Sequence, residues 1–148
     1  MAEPFFDDAD YDELRDRFLG GGCHALALAL AERTDLELAV VWIARRRRTQ
    51  IAHAMVVVPG DDALYLDIGG IRSLPEILED LQVDPEEEEP TVEEPVDAAR
   101  ILDLTRGRHA HRRFPAIDPG LAEAAASTAQ RLLGAVDLPE APSSGPRP

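Results

Sequence analysis

The chain has one cysteine, Cys23, among its 148 residues, so no disulfide can form within it. That suits a reducing compartment. Aromatic residues make up only 5%, and a core must therefore be built chiefly from Ala, Leu, Val and Ile. No apolar run approaches the ~20 residues that a membrane span requires. The acidic N-terminus lacks the basic start of a secretory signal, so a cytoplasmic location is the expectation. Basic residues are also scarce: 15 Lys and Arg stand against 29 Asp and Glu, a net charge of −14. Such a charge repels phosphate groups and anionic headgroups, which excludes nucleic acid and membrane surfaces as natural partners. It favours solubility or a basic protein partner. No internal repeat is visible, and no cofactor is expected.

Apolar residues make up 45% of the chain, enough for one hydrophobic core. The reading is a single α+β domain over residues 1–136, followed by a disordered Pro/Ser-rich tail at 137–148. The acidic charge falls in two blocks, one around Asp7, Asp8, Asp10, Asp12 and Glu13, and one at 86–89 with Glu93 and Glu94. With its prolines, the second block makes 83–95 an exposed acidic loop in this reading.

Tyr11, Leu14 and Phe18 recur at helical spacing and predict a helix over 10–19, stopped by Gly20, Gly21 and Gly22. Residues 23–33 alternate Ala and Leu but contain no β-branched side chain before the end, which predicts a helix buried on nearly every side. Val- and Ile-rich runs predict strands over 36–44 and 51–58, with Trp42 as a core anchor on the first. An arginine-rich hairpin loop (Arg45, Arg46, Arg47, Arg48) joins them. A turn at 59–62 leads to a third strand over 63–68, ended by Gly69 and Gly70, and short links imply an antiparallel meander. Ser73 and Glu76 have capping-box spacing and open a helix to about residue 82. Helices are also expected over 96–104 and, from the Asp118 cap and Pro119, to about residue 133, with Leu121, Ala125, Thr128 and Leu132 along one side. The basic stretch 105–114 is ambiguous. His109 and His111 within it alternate as metal ligands do on a strand, but arginines rather than carboxylates surround them, so no metal site is expected.

Cys23 opens a buried helix. The unpaired N–H groups there carry roughly half a positive charge, which favours thiolate over thiol. The same groups can hold an oxyanion formed when sulfur attacks a carbonyl. Gly21 and Gly22 leave room for a substrate in this reading. Together with His24, which adjoins the thiol and faces a loop or solvent, they are the candidate substrate-binding residues. Strand alternation places His53, Met55 and Val57 on one face and Ala52, Ala54, Val56 and Val58 on the other. Tyr65 and Asp67 share a face of the next strand. Antiparallel pairing brings the start of one strand beside the end of the next, so Asp67 can orient the His53 ring.

The segments Gly21-Gly22-Cys23-His24-Ala25-Leu26, His53-Ala54-Met55 and Leu66-Asp67-Ile68-Gly69-Gly70 resemble the core of transglutaminase-like proteins within the papain-like superfamily. They are also similar to small bacterial and phage proteins with the same order of motifs. Met55 stands where an aromatic commonly follows the His-Ala pair, and Ile68 where a proline commonly follows the aspartate. The resemblance implies a Cys-bearing helix packed on an antiparallel sheet, with Cys23 as nucleophile, His53 as general base and acid, and Asp67 as the orienting carboxylate. It implies a thiol hydrolase or acyltransferase acting on an amide or thioester carbonyl of a peptide or protein. The alternative is a non-catalytic acidic binding or accessory protein of a phage or mobile element on the same fold.

Overall fold

In a computed structural model, residues 8–45, 48–106, 114–136 and 138 are described. The arginine hairpin tip at Arg46 and Arg47, His109 and His111, and all of the tail but Leu138 lie outside them. The elements are α1 (Asp8–Gly20), α2 (Cys23–Thr34), β1 (Leu38–Arg45), β2 (Arg48–Val58), β3 (Leu64–Asp67), β4 (Gly70–Ser73), α3 (Leu74–Asp80), α4 (Pro85–Glu88), β5 (Thr91–Val96), α5 (Ala98–Leu104) and α6 (Pro119–Ala135). The five strands form one antiparallel sheet in the order β4-β3-β2-β1-β5. The architecture is mixed α and β, and no helix among the described residues is long and apolar enough to cross a membrane.

Both faces of the sheet are covered. On one, Leu26 and Leu30 of α2 and Ala125, Ala129 and Leu132 of α6 pack with Phe18 of α1 onto Val40, Trp42, Ala54, Val56 and Leu66. On the other, Ile77 and Leu78 of α3 and Val83 pack onto Ala39, Val41, Ile43, Met55 and Tyr65. The Ala/Leu alternation of α2 is thus a helix buried on most sides. Its end is set by Asp35 in a left-handed conformation, whose N–H reaches Ala31 O at 2.8 Å. Trp42 is the expected core anchor, and its Nε1 donates to Glu93 at 3.0 Å.

Two sequence expectations fail for identifiable reasons, and one strand is added to them. Residues 83–95 are not an exposed loop. Asp84 caps the short helix α4, Glu88 is buried, and Thr91–Val96 pairs with β1. Proline and carboxylates exclude a central strand, but they suit an edge strand, where one side needs no partner and charge discourages further pairing. The third strand does end at the glycines, but the sheet continues past them. Asp67 pairs with Gly70 across a two-residue turn, and Gly70, at φ 94°, takes a conformation that side chains disfavour. The strand β4 that follows was not anticipated. Finally, Ala52 does not share a face with Ala54. The β1–β2 register jumps from Val41↔His53 to Trp42↔Ile51, a β-bulge that leaves Ala52 unopposed. Side-chain alternation changes phase there. Ile51 joins the α2-side core with Ala54, while Ala52 joins Met55 on the other. His53 sits at the phase change, and bulges are a common means of re-aiming one side chain.

The capping box of α3 is present as expected, with Ser73 Oγ and the Glu76 carboxylate each serving the other's backbone N–H. On α6, Asp118 Oδ1 accepts from Leu121 N at 2.7 Å. Asp118→Ala should lower unfolding free energy by about 1 kcal/mol. This would be read as a lower urea midpoint at unchanged slope; an unchanged midpoint would show that the cap contributes nothing.

Candidate functional site

The site begins at the mouth of α2. Gly22 is the N-cap residue and offers no side chain to the first helical N–H groups. The positive end of the helix is therefore uncapped beside Cys23. His53 reaches the site from the bulge of β2 and Asp67 from the last position of β3. The three residues line one pocket too tight to hold a water molecule, with Phe18, Leu26, Leu30, Ala54, Met55 and Leu66 among the apolar residues of its wall.

The His53 Nε2 and Asp67 Oδ2 are 2.8 Å apart, both fully buried. With Nε2 engaged, the free ring nitrogen is Nδ1, which is buried and has no hydrogen-bond partner among the described residues. Burial pushes the Cys23 thiol up, but the charge of His53 and the nearby rings of His24 and His53 outweigh it and bring the thiol down to about 6. Burial pushes His53 down, and the Cys23 thiolate and the Asp67 carboxylate outweigh that in turn, raising it to about 9. These values belong to the coupled pair. Between them the pair is a thiolate beside an imidazolium. Burial likewise pushes Asp67 up, and its bonds to His53 and Arg72 hold it below the ordinary carboxylate range.

Asp67 has more partners than the sequence disclosed. Its Oδ1 accepts from Gly69 N at 2.8 Å. Arg72 Nη2 lies 2.8 Å from each carboxylate oxygen. Arg72 Nη1 donates to Asp80 Oδ2 at 2.7 Å, and Asp80 Oδ1 accepts from Arg15 on α1. The signal for Arg72 was the two-residue turn itself: a hairpin at 68–69 sets residue 72 opposite Tyr65, on the face that Tyr65 shares with Asp67.

The candidate substrate-binding residues are placed differently from expectation. A Cβ on Gly22 would lie 3.1 Å from Phe18 Cδ1 and 3.2 Å from Leu121 Cδ1, so α1 and α6, rather than a substrate, fill the space beside this glycine. Gly21 is half-buried, its N–H on Arg17 O at 3.3 Å. His24 is fully buried and faces a loop rather than solvent: its Nε2 lies 2.7 Å from Pro115 O, and its ring stacks on Phe114. Cys23 itself is only 2% exposed. Among the described residues no group of three or more potential metal ligands is present.

Because Asp67 titrates lower in the folded than in the unfolded chain, falling pH protonates the unfolded chain first. Its stabilisation is present above about 3.9, the ordinary Asp value, and is lost as pH falls through the lower folded value. Asp67→Asn should flatten the acid limb of the stability-against-pH curve. It should also cost about 3–5 kcal/mol at neutral pH by leaving Arg72 and His53 unpaired; wild-type slope in the variant would show that the carboxylate is not held as an anion. Compared with protein-family models, with curated protein sequences and with solved structures, this chain gives no match.

Proposed function

We propose that the chain is a thiol hydrolase or acyltransferase acting on an amide or thioester carbonyl, with a papain-like or transglutaminase-like core. The observation that carries this reading is the buried Cys23, His53, Asp67 series, in which the thiol is pulled down to about 6 and the imidazole up to about 9. A structural cysteine in apolar surroundings would move the other way, because burial alone disfavours thiolate.

The Cys23 thiolate attacks the carbonyl carbon, and the displaced electron pair moves onto oxygen. The uncapped N–H groups at the start of α2 are the available donors for that oxyanion. His53, protonated at rest, gives its proton to the departing amine or thiolate as the tetrahedral species collapses to an acyl-enzyme. Water or an acceptor amine then attacks, losing a proton to His53, and the thioester breaks to free Cys23. Asp67 holds the ring through Nε2, so Nδ1 is the nitrogen that shuttles the proton. With a net charge of −14, neutral or basic peptides are the favoured substrates.

The closed mouth favours a second reading, a non-catalytic acidic binding or accessory module. Cys23 is 2% exposed, and Phe18 and Leu121 pack closely around the adjacent Gly22, so an electrophile entering past the start of α2 must displace them. Incubation with an acyl thioester followed by mass analysis separates the two: a stable acyl adduct on Cys23, absent in Cys23→Ala, supports the enzyme. No adduct from any thioester or activated amide, alongside a basic partner retained by Cys23→Ala, supports the module. Thiol alkylation should rise with a midpoint near pH 6 rather than the ~8.5 of a free cysteine. Leu121→Ala should speed alkylation about 5–30-fold by weakening the closed packing by one or two kcal/mol. An unchanged rate would show that access runs elsewhere.

A further inference from the structure

We infer that Arg72 is a positioning residue for the thiol site: it holds Asp67 ionised and aimed at His53, and Gly69 and Asp80 exist to hold Arg72 there. This rests on the thiol reading above but concerns residues outside the triad. The Asp67 side chain is only 2% exposed, and an isolated buried carboxylate is costly to ionise. His53 engages Oδ2 and leaves the carboxylate free to pivot about that bond. The backbone N–H of Gly69 pins Oδ1, and Arg72 Nη2 spans both oxygens. Three groups from β2, the turn and β4 thus define the carboxylate plane.

Arg72 reaches this place because position 69 is glycine. A Cβ there would lie 2.5 Å from Arg72 Cζ and 2.7 Å from Nε and Nη2. Gly69 does not have the positive φ that would demand glycine for conformational reasons, so space for the guanidinium is what the residue supplies. The guanidinium leaves its own Nε buried and without a hydrogen-bond partner among the described residues while bridging Asp67 and Asp80. Its placement serves the two carboxylates rather than its own bonding. Asp80 is in turn held by Arg15.

The charged groups of this region therefore alternate in sign from interior to surface. Cys23 on α2 is followed by His53 on β2, Asp67 on β3, Arg72 on β4, Asp80 on α3 and Arg15 on α1. Among the described residues, His24 is the remaining titratable ring near the sulfur. Arg72 acts on the thiol through Asp67 and His53. Removing it frees the carboxylate that holds the imidazolium, and the imidazolium is the charge that lowers the thiol.

The test titrates thiolate by its ultraviolet absorbance, which does not require reagent access. Cys23 is the only cysteine, and Cys23→Ala serves as blank. Wild type should show a midpoint near 6. Arg72→Gln should raise it by about one unit or more, roughly tenfold less thiolate below the midpoint. Arg72→Lys, which keeps the charge but loses the fork, should fall between. Gly69→Ala should raise it with every charge still present, and it carries the test if Arg72→Gln does not fold. A wild-type midpoint near 6 with both Arg72→Gln and Gly69→Ala unmoved, and only thermal stability lowered, would overturn the inference and leave Arg72 a structural ion pair. A wild-type midpoint near ~8.5 would instead overturn the thiol reading, and this inference with it.

Discussion

A carboxylate taken out of water must be matched by charge and by hydrogen bonds, and Asp67 is the point where this constraint organises the molecule. With its side chain 2% exposed, it faces His53 on one side and Arg72 on the other. Each partner arrives from a different strand. His53 lies at a bulge that changes the phase of β2, whereas Arg72 stands in the regular β3–β4 ladder and its guanidinium crosses above Gly69 of the two-residue turn. A bulge on one side and a glycine on the other serve the same buried charge.

The second organising feature is the start of α2. Helix formation leaves N–H groups without partners, and Gly22 does not cap them with a side chain. In α3, α4, α5 and α6 this cost is met locally: Ser73, Asp84, Asp97 and Asp118 each cap the helix that follows. Beside these four, the positive end of α2 is left for something other than its own capping. Cys23 sits there, and the proposed chemistry needs that field twice, for the thiolate and for the oxyanion.

Closure sets the site apart from an open cleft. The Phe18 ring, Leu121 and the Phe114–Pro115 segment gather around the mouth of α2, and His24 is committed to that segment through Pro115 O. A low-dielectric enclosure strengthens each electrostatic interaction inside it. It also makes the Cys23–His53 pair depend on completeness, because any member left unmatched would be a buried charge.

Much of the local structure was legible in the sequence. The Ala/Leu run without β-branching determined α2, the Val/Ile runs determined β1 and β2, and the capping box and the Asp118-Pro119 pair determined where α3 and α6 begin. The meeting of His53 and Asp67 was also readable, because a meander lays β3 beside β2, although β2 begins at Arg48 and His53 stands mid-strand rather than at its start. The bulge at Ala52, the edge strand inside an acidic segment, β4 with Arg72, and the filling of the space beside Gly22 were not. Each is decided by what lies opposite in space. A strand's phase depends on its partner's register, a proline's tolerance depends on whether its edge is free, and a glycine's neighbour is set by which distant helix packs there. The sequence by itself determined where a thiol, an imidazole and a carboxylate stand along the chain and which elements bear them. Only the tertiary structure decided which charges meet and whether the sulfur faces water, because both are properties of burial, and burial is a long-range outcome.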